Sequence, residues 1–153
     1  MGSGVGTAAG VKLARPNQQV VCLVGDGSFL FGPTALWNMA RLELPVVVVV
    51  YNNHAYGGPH NRVLAATSGG RMVQTGHFFH SYLGKPDMDM ASIAKGFGVG
   101  GEKVRAPAEL KAALTRAGRV TAEGKPYLID VDVARYGFGW TADPWIPPIG
   151  RRS

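Results

Sequence analysis

VVCLVGDGSFLFGPTALWNMARLELPVVVVVYNN, residues 20–53, holds two apolar β-branched runs, each closed by small or polar residues. Residues 20–24 lack polar alternation, which predicts a strand buried on both faces of a parallel sheet. That run stops at Gly25-Asp26-Gly27. After a short connection, Gly32-Pro33 opens a helix with proline at its first position. Ala35, Leu36, Met39 and Ala40 recur at helical spacing and give the helix a buried face. Leu44-Pro45 ends it, and residues 46–51 form a second central strand closed by Asn52-Asn53. Strand, helix and strand together make a βαβ unit.

Outward from this unit the pattern continues. Residues 4–14 are rich in small side chains and predict a helix packed closely against its neighbours, followed by a turn in ARPNQQ. Residues 56–84 show no clear period and contain GGP, SGG and several histidines, so they read as a long functional loop. A helix is expected over 89–97, with Asp89 near its N-terminus, and a short strand near 103–105. PAELKAALTRA, residues 107–117, is a strongly patterned helix that again starts at proline. Residues 126–133 form the last strand. The fold class is α/β, a mostly parallel twisted sheet flanked by helices. Residues 1–133 make one domain, and 134–153 are an irregular tail rich in Gly, Pro and Trp.

Composition agrees with one globular domain: 153 residues, 46% hydrophobic and 17% charged. The net charge is +6, yet the positive residues are scattered and form no basic helix or stripe, which argues against nucleic acid. Cys22 is the only cysteine, so an intrachain disulfide or a cysteine metal cluster is excluded, and its place inside VVCLV suits a small buried hydrophobe. The longest apolar run is too short to span a bilayer. With no signal-peptide pattern at the start, a cytoplasmic location is expected.

Ligands of open α/β sheets bind outside the carboxyl ends of the strands, and both motifs sit at such ends. Gly25 and Gly27 carry no Cβ, so backbone N–H groups there can approach an anion closely. Asp26 offers a carboxylate oxygen and Asn52-Asn53 offer amide oxygens. Joined by phosphate oxygens, these make a donor set that Mg²⁺ favours. The two strand ends therefore read as holding a magnesium diphosphate.

GDG, 24 residues from Ser28 to Tyr51, and then Asn-Asn resembles the thiamine diphosphate-binding motif of thiamine-dependent enzymes. Turn chemistry alone accounts for glycine and asparagine but not for this spacing. ALWNMARLELPVVVVVYNN, PDMDMASIAKGFGV and GKPYLIDVDV further resemble the C-terminal cofactor domain of the acetolactate synthase and benzoylformate decarboxylase group. The resemblance implies that Asp26, Asn53 and the backbone carbonyl of Ala55 bind Mg²⁺. It also implies that Gly25, Gly27 and Ser28 contact the diphosphate and that Tyr56 lies near the thiamine ring, while Asn52 shapes the turn. The implied activity is decarboxylation or carboligation of a small 2-keto acid.

Other residues have two readings each. His54 is a candidate for phosphate or substrate contact, or a solvated loop residue. Gly57 and Gly58 stand where some relatives carry bulkier active-site residues, which leaves the substrate open. His77 and His80 suggest a ligand pair without a third member, so loop packing or a subunit contact is the expectation. Asp130 and Asp132 alternate on one strand and read as structural or edge residues. Trp140 and Trp145 are candidates for covering a partner surface.

The family also needs a pyrimidine-binding domain, usually from another subunit of an oligomer, that supplies an activating glutamate. Glu43, Glu102, Glu109 and Glu123 match no such position, so the catalytic glutamate is expected elsewhere. The resemblance implies that the chain begins inside the usual cofactor domain, without its first strand and helix. A split enzyme completed by a second chain, a piece of a longer enzyme, and a non-catalytic nucleotide- or phosphate-binding module all remain open. The last is disfavoured because the first βα turn is not GxGxxG and no acidic residue closes the second strand.

Overall fold

The computed structural model describes residues 2–66, 74 and 81–135. The described residues fall into two compact units, one within 1–52 and 89–133, the other within 53–88 and 134–153. The first unit holds a four-stranded sheet of β1 (Val20–Gly25), β2 (Val46–Asn52), β3 (Gly100–Val104) and β4 (Tyr127–Asp132). The spatial order is β1-β2-β4-β3, and every pairing is parallel. Its helices are α1 (Gly4–Ala14), α2 (Asp26–Leu30), α3 (Ala35–Arg41), α5 (Met90–Gly96) and α6 (Pro107–Ala122). The second unit contributes α4 (Gly57–Ala66).

β2 is the centre of the molecule's hydrophobic order. Val46 to Val50 are all buried, as expected of a strand covered on both faces. On one face Val47 and Val49 join Val104, Ile129 and Val131 beneath Ala113 and Ala117 of α6. The two alanines let the helix axis come close to the sheet. On the other face lie Val20, Cys22 and Val24 with Val46, Val48 and Val50, and α1 packs against β1 and α3. Burial pushes the Cys22 thiol above its ordinary range, which suits an inert core residue.

β1 departs from the expectation of burial on both faces. Its residues alternate, with Val21 49% and Leu23 60% exposed. The reason is positional: among the described residues β1 is an edge strand, and the cluster under α6 is drawn from β2, β3 and β4 with no residue of β1. Of the two readings of Asp130 and Asp132, structural or edge, the edge one drops out, because β4 lies between β2 and β3 as an interior strand.

Helix limits shift for local reasons. Gly25-Asp26 leads straight into α2 instead of a turn, with Phe29 wholly buried as its anchor. α3 begins two residues after Pro33, because residues 32–34 make i→i+3 bonds first (Leu36 N–H to Pro33 carbonyl, 3.0 Å). Residues 57–66, expected as loop, are helical. Pro59 falls in the first turn, where its missing N–H would have had no partner. β3 starts at Gly100 rather than near 103, and α6 runs through Gly118 to Ala122. Gly101 permits β3 to lie close to β4, since a Cβ there would sit 3.1 Å from the Leu128 carbonyl.

Candidate functional site

The first unit brings the ends of β1 and β2 into one row. Gly25 pairs with Tyr51, so Asp26 and Asn52 are the next residues outward at the carboxyl edge of the sheet. Asp26 is 3% exposed, and its Oδ1 accepts the Gly27 N–H at 2.8 Å. That bond turns the N–H of Gly27 toward the carboxylate and fixes the Asp26 rotamer. Gly25 is extended (φ −76°, ψ 153°), and a Cβ placed on it would meet nothing within 4 Å. Ser28 follows on α2 and is exposed.

Asn52 was expected to shape a turn, but it is the last residue of β2. It is 1% exposed, and its Nδ2 donates to Asp130 Oδ1 at 3.0 Å while its carbonyl accepts the Val133 N–H at 2.9 Å. Burial pushes the Asp130 carboxyl above the usual range, and the Asn52 amide and the Lys103 charge pull against that shift. A side-chain amide held this firmly in the sheet is a brace, and its signal in the sequence was only the first asparagine of the pair.

In the second unit, the chain after β2 forms a short loop of Asn53, His54, Ala55 and Tyr56. Asn53 Oδ1 accepts the Ala55 N–H at 3.0 Å, which orients the amide oxygen. His54 has a positive φ of 57°, and its Nδ1 lies 2.8 Å from Asp87 Oδ1. Ala55 faces Tyr82 in an isolated antiparallel bridge. Tyr56 is half-buried; its N–H donates to the Ser81 carbonyl at 2.8 Å and its own carbonyl accepts from His60 at 3.1 Å. Gly57 sits beside Asn53, where a Cβ would lie 3.5 Å from Nδ2. No local pattern marked the 81–87 segment, nor His60, which is 1% exposed on α4.

The donors at these positions are a buried carboxylate (Asp26), an oriented amide oxygen (Asn53) and a main-chain carbonyl (Ala55). All three are hard oxygens, the kind Mg²⁺ takes together with phosphate and water, so the residues fit a magnesium diphosphate. Among the described residues no three His, Cys, Asp or Glu side chains gather as a metal cluster. His77, His80, Trp140 and Trp145 lie outside the described residues. No described helix is long and apolar enough to cross a membrane.

Two of the chain's four glutamates, Glu102 and Glu109, are held in local hydrogen bonds. Glu102 takes a two-point bond from Arg116 (Nε to Oε1, 2.9 Å) and the Tyr127 hydroxyl. Glu109 accepts the N–H groups of Arg105 and Ala106 at the start of α6. Glu43 and Glu123 sit in the turns that close α3 and α6.

Residues 1–131 match the family described as thiamine pyrophosphate enzyme, C-terminal TPP binding domain. Benzoylformate decarboxylase of Pseudomonas aeruginosa is 34% identical over 131 residues, covering 86% of this chain and 22% of that protein. The acetolactate synthase isozyme 2 large subunit of Escherichia coli is 30% identical, covering 100% of this chain and 25% of that one. A solved structure, the thiamine diphosphate-dependent 4-hydroxybenzoylformate decarboxylase of Rhodococcus jostii, superposes with a TM-score of 0.75 at 32% identity, covering 88% of this chain and 23% of that one. The chain thus spans a quarter or less of the length of these relatives.

Proposed function

The chain belongs to the thiamine pyrophosphate enzymes as a C-terminal TPP binding domain, and from that premise we propose that it seats the diphosphate of thiamine diphosphate through Mg²⁺ in a 2-keto acid decarboxylase or carboligase. The observation that carries this reading is the strand register: Gly25 opposite Tyr51 opens GDG and Asn-Asn at the same edge of the sheet. Residues 1–133 are the cofactor domain in this proposal, and 134–153 its tail.

Asp26, Asn53 and the Ala55 carbonyl ligate the cation. Gly25, Gly27 and Ser28 line the diphosphate, and Tyr56 approaches the thiamine ring. The Gly27 N–H holds the Asp26 carboxylate in a fixed rotamer, so one ligand is oriented before the cation arrives. The bound cofactor supplies a nucleophilic thiazolium carbon and an electron sink for loss of CO₂ from a 2-keto acid. This chain's residues bind and orient; Glu102 and Glu109 are engaged in local bonds, Glu43 and Glu123 lie in the turns that close α3 and α6, and none of the four is assigned proton transfer to the aminopyrimidine. That glutamate comes from a pyrimidine-binding domain, on another chain or another part of the same protein, in an oligomer.

Calorimetric titration of the complete assembly tests the reading. Thiamine diphosphate with Mg²⁺ is expected to bind, and NAD or a free nucleotide to bind far more weakly. Tighter binding of the nucleotide would instead identify a phosphate-binding module of another kind.

A further inference from the structure

Resting on the reading of Asn53 and Ala55 as cation ligands, we propose that residues 81–87 form a positioning strap for the ligand loop, in which Asp87 acts through His54 to hold the two oxygens on one edge. Ala55 and Tyr82 face each other across the antiparallel bridge. The hydrogen bonds belong to their neighbours: Leu83 N–H to the His54 carbonyl at 2.7 Å, and Tyr56 N–H to the Ser81 carbonyl at 2.8 Å. In such a non-hydrogen-bonded pair, the main-chain groups of the facing residues point away from each other. The Ala55 N–H therefore points away from Tyr82, and there it meets Asn53 Oδ1. The Ala55 carbonyl lies along that same edge. The strap thus decides which way both ligand oxygens face.

His54 is the strained link. A Cβ-bearing residue at φ 57° persists where its surroundings impose that conformation. Here its carbonyl is held by Leu83 and its ring by Asp87 at 2.8 Å. The pair is open to solvent on the Asp87 side, with His54 at 25% and Asp87 at 52% exposure, so it adds little to folding. Its consequence is the direction of the loop. The sequence hides this device, because Asp87 is 33 positions after His54 and in PDMDM has the look of a helix leader.

The test uses the full chain in its complete assembly, with Mn²⁺ as the probe cation, thiamine diphosphate present, and binding read by electron paramagnetic resonance. Asp87→Ala is expected to weaken Mn²⁺ binding about tenfold, the size seen when a partner of a metal-binding loop is removed, and to change the Mn²⁺ spectrum. Asp87→Asn keeps an oxygen that accepts from Nδ1–H, and is expected to stay within about twofold of the parent. The melting temperature of the cofactor-free assembly is expected to be the same in all three. Wild-type Mn²⁺ binding by Asp87→Ala, alongside its loss in Asp26→Ala, overturns the strap and leaves the ligand assignment standing. Wild-type binding by Asp26→Ala overturns both. A fall in melting temperature that tracks the loss of affinity, with no recovery in Asp87→Asn, makes Asp87 a stability residue and overturns the proposal.

Discussion

Asn52 and Asp130 lie 78 positions apart and meet at 3.0 Å inside the sheet. The sequence shows two polar residues in apolar strands, but their meeting depends on β2 pairing with β4, which no local pattern reveals. The Asp130 side chain is fully buried, and burial raises its carboxyl above the ordinary value. An acid whose folded pKa is raised gives stability that is whole below the unfolded value, about 3.9, and declines as pH rises through the folded value. Asp130→Asn keeps an oxygen for Asn52 and removes the charge. It is expected to be more stable than the parent at pH 7.5 by on the order of 1 kcal/mol. The gap should close as pH falls below about 3.9, in thermal unfolding measured at both pH values. An equal gap at both would mean that the charge is not the cause. At this scale GDG and Asn-Asn were legible as candidates, because their residue types and spacing suggest a chemistry. The strap at 81–87 and the brace at Asp130 were not, since each depends on a partner distant in the chain.

Among the elements other than α2 and α4, existence and type were readable from periodicity and caps, and boundaries were settled by hydrogen bonds the sequence shows only faintly. α3 ends at Arg41, ahead of Pro45, because Leu44 N–H bonds to the Met39 carbonyl at 2.9 Å and Glu43 N–H to the Ala40 carbonyl at 3.3 Å. This closing turn places Glu43 at φ 48°, a region in which glycine is at ease. Glu43→Gly is therefore expected to stabilise the protein, by up to about 1 kcal/mol after the larger unfolded-state entropy of glycine. Urea denaturation checks it, and a loss of stability would show that the Glu43 side chain itself holds the turn. α5 was nearly right from sequence because Asp89 is a true cap, accepting the Ser92 N–H and hydroxyl at 2.8 Å each. The Ser92 N–H, then its hydroxyl, hold the Asp89 carboxyl below the usual carboxylate range. The stability it gives is present above about pH 3.9 and is lost as pH falls through the folded value. Asp89→Ala is expected to cost about 1 kcal/mol at neutral pH, and the difference from the parent should shrink on acidification. At the start of α6, by contrast, Glu109 alone does the capping, since Ala106 has no acceptor to return a bond. α4 went unseen because Gly57-Gly58-Pro59 carries the marks of a turn.

At the scale of the whole molecule, the α/β class and the parallel sheet followed from apolar strands alternating with helical patterns, while strand order did not. The crossing of the chain from β2 past β4 to β3 is a long-range choice that no residue announces. It leaves β1 at an edge with Val21 and Leu23 exposed, against the sequence's suggestion of a strand covered twice. The same order sets the carboxyl ends of β1 and β2 side by side, and the proposed cofactor site depends on that adjacency. Asp26 is the residue on which it turns, as the one carboxylate in the proposed ligand set. The most direct measurement is the affinity of the complete assembly for thiamine diphosphate, taken with and without Mg²⁺, for the parent and for Asp26→Ala. The parent is expected to bind the cofactor tightly only with Mg²⁺, and Asp26→Ala to lose most of that dependence while keeping its fold. Undiminished Mg²⁺-dependent binding in a folded Asp26→Ala assembly would contradict the account.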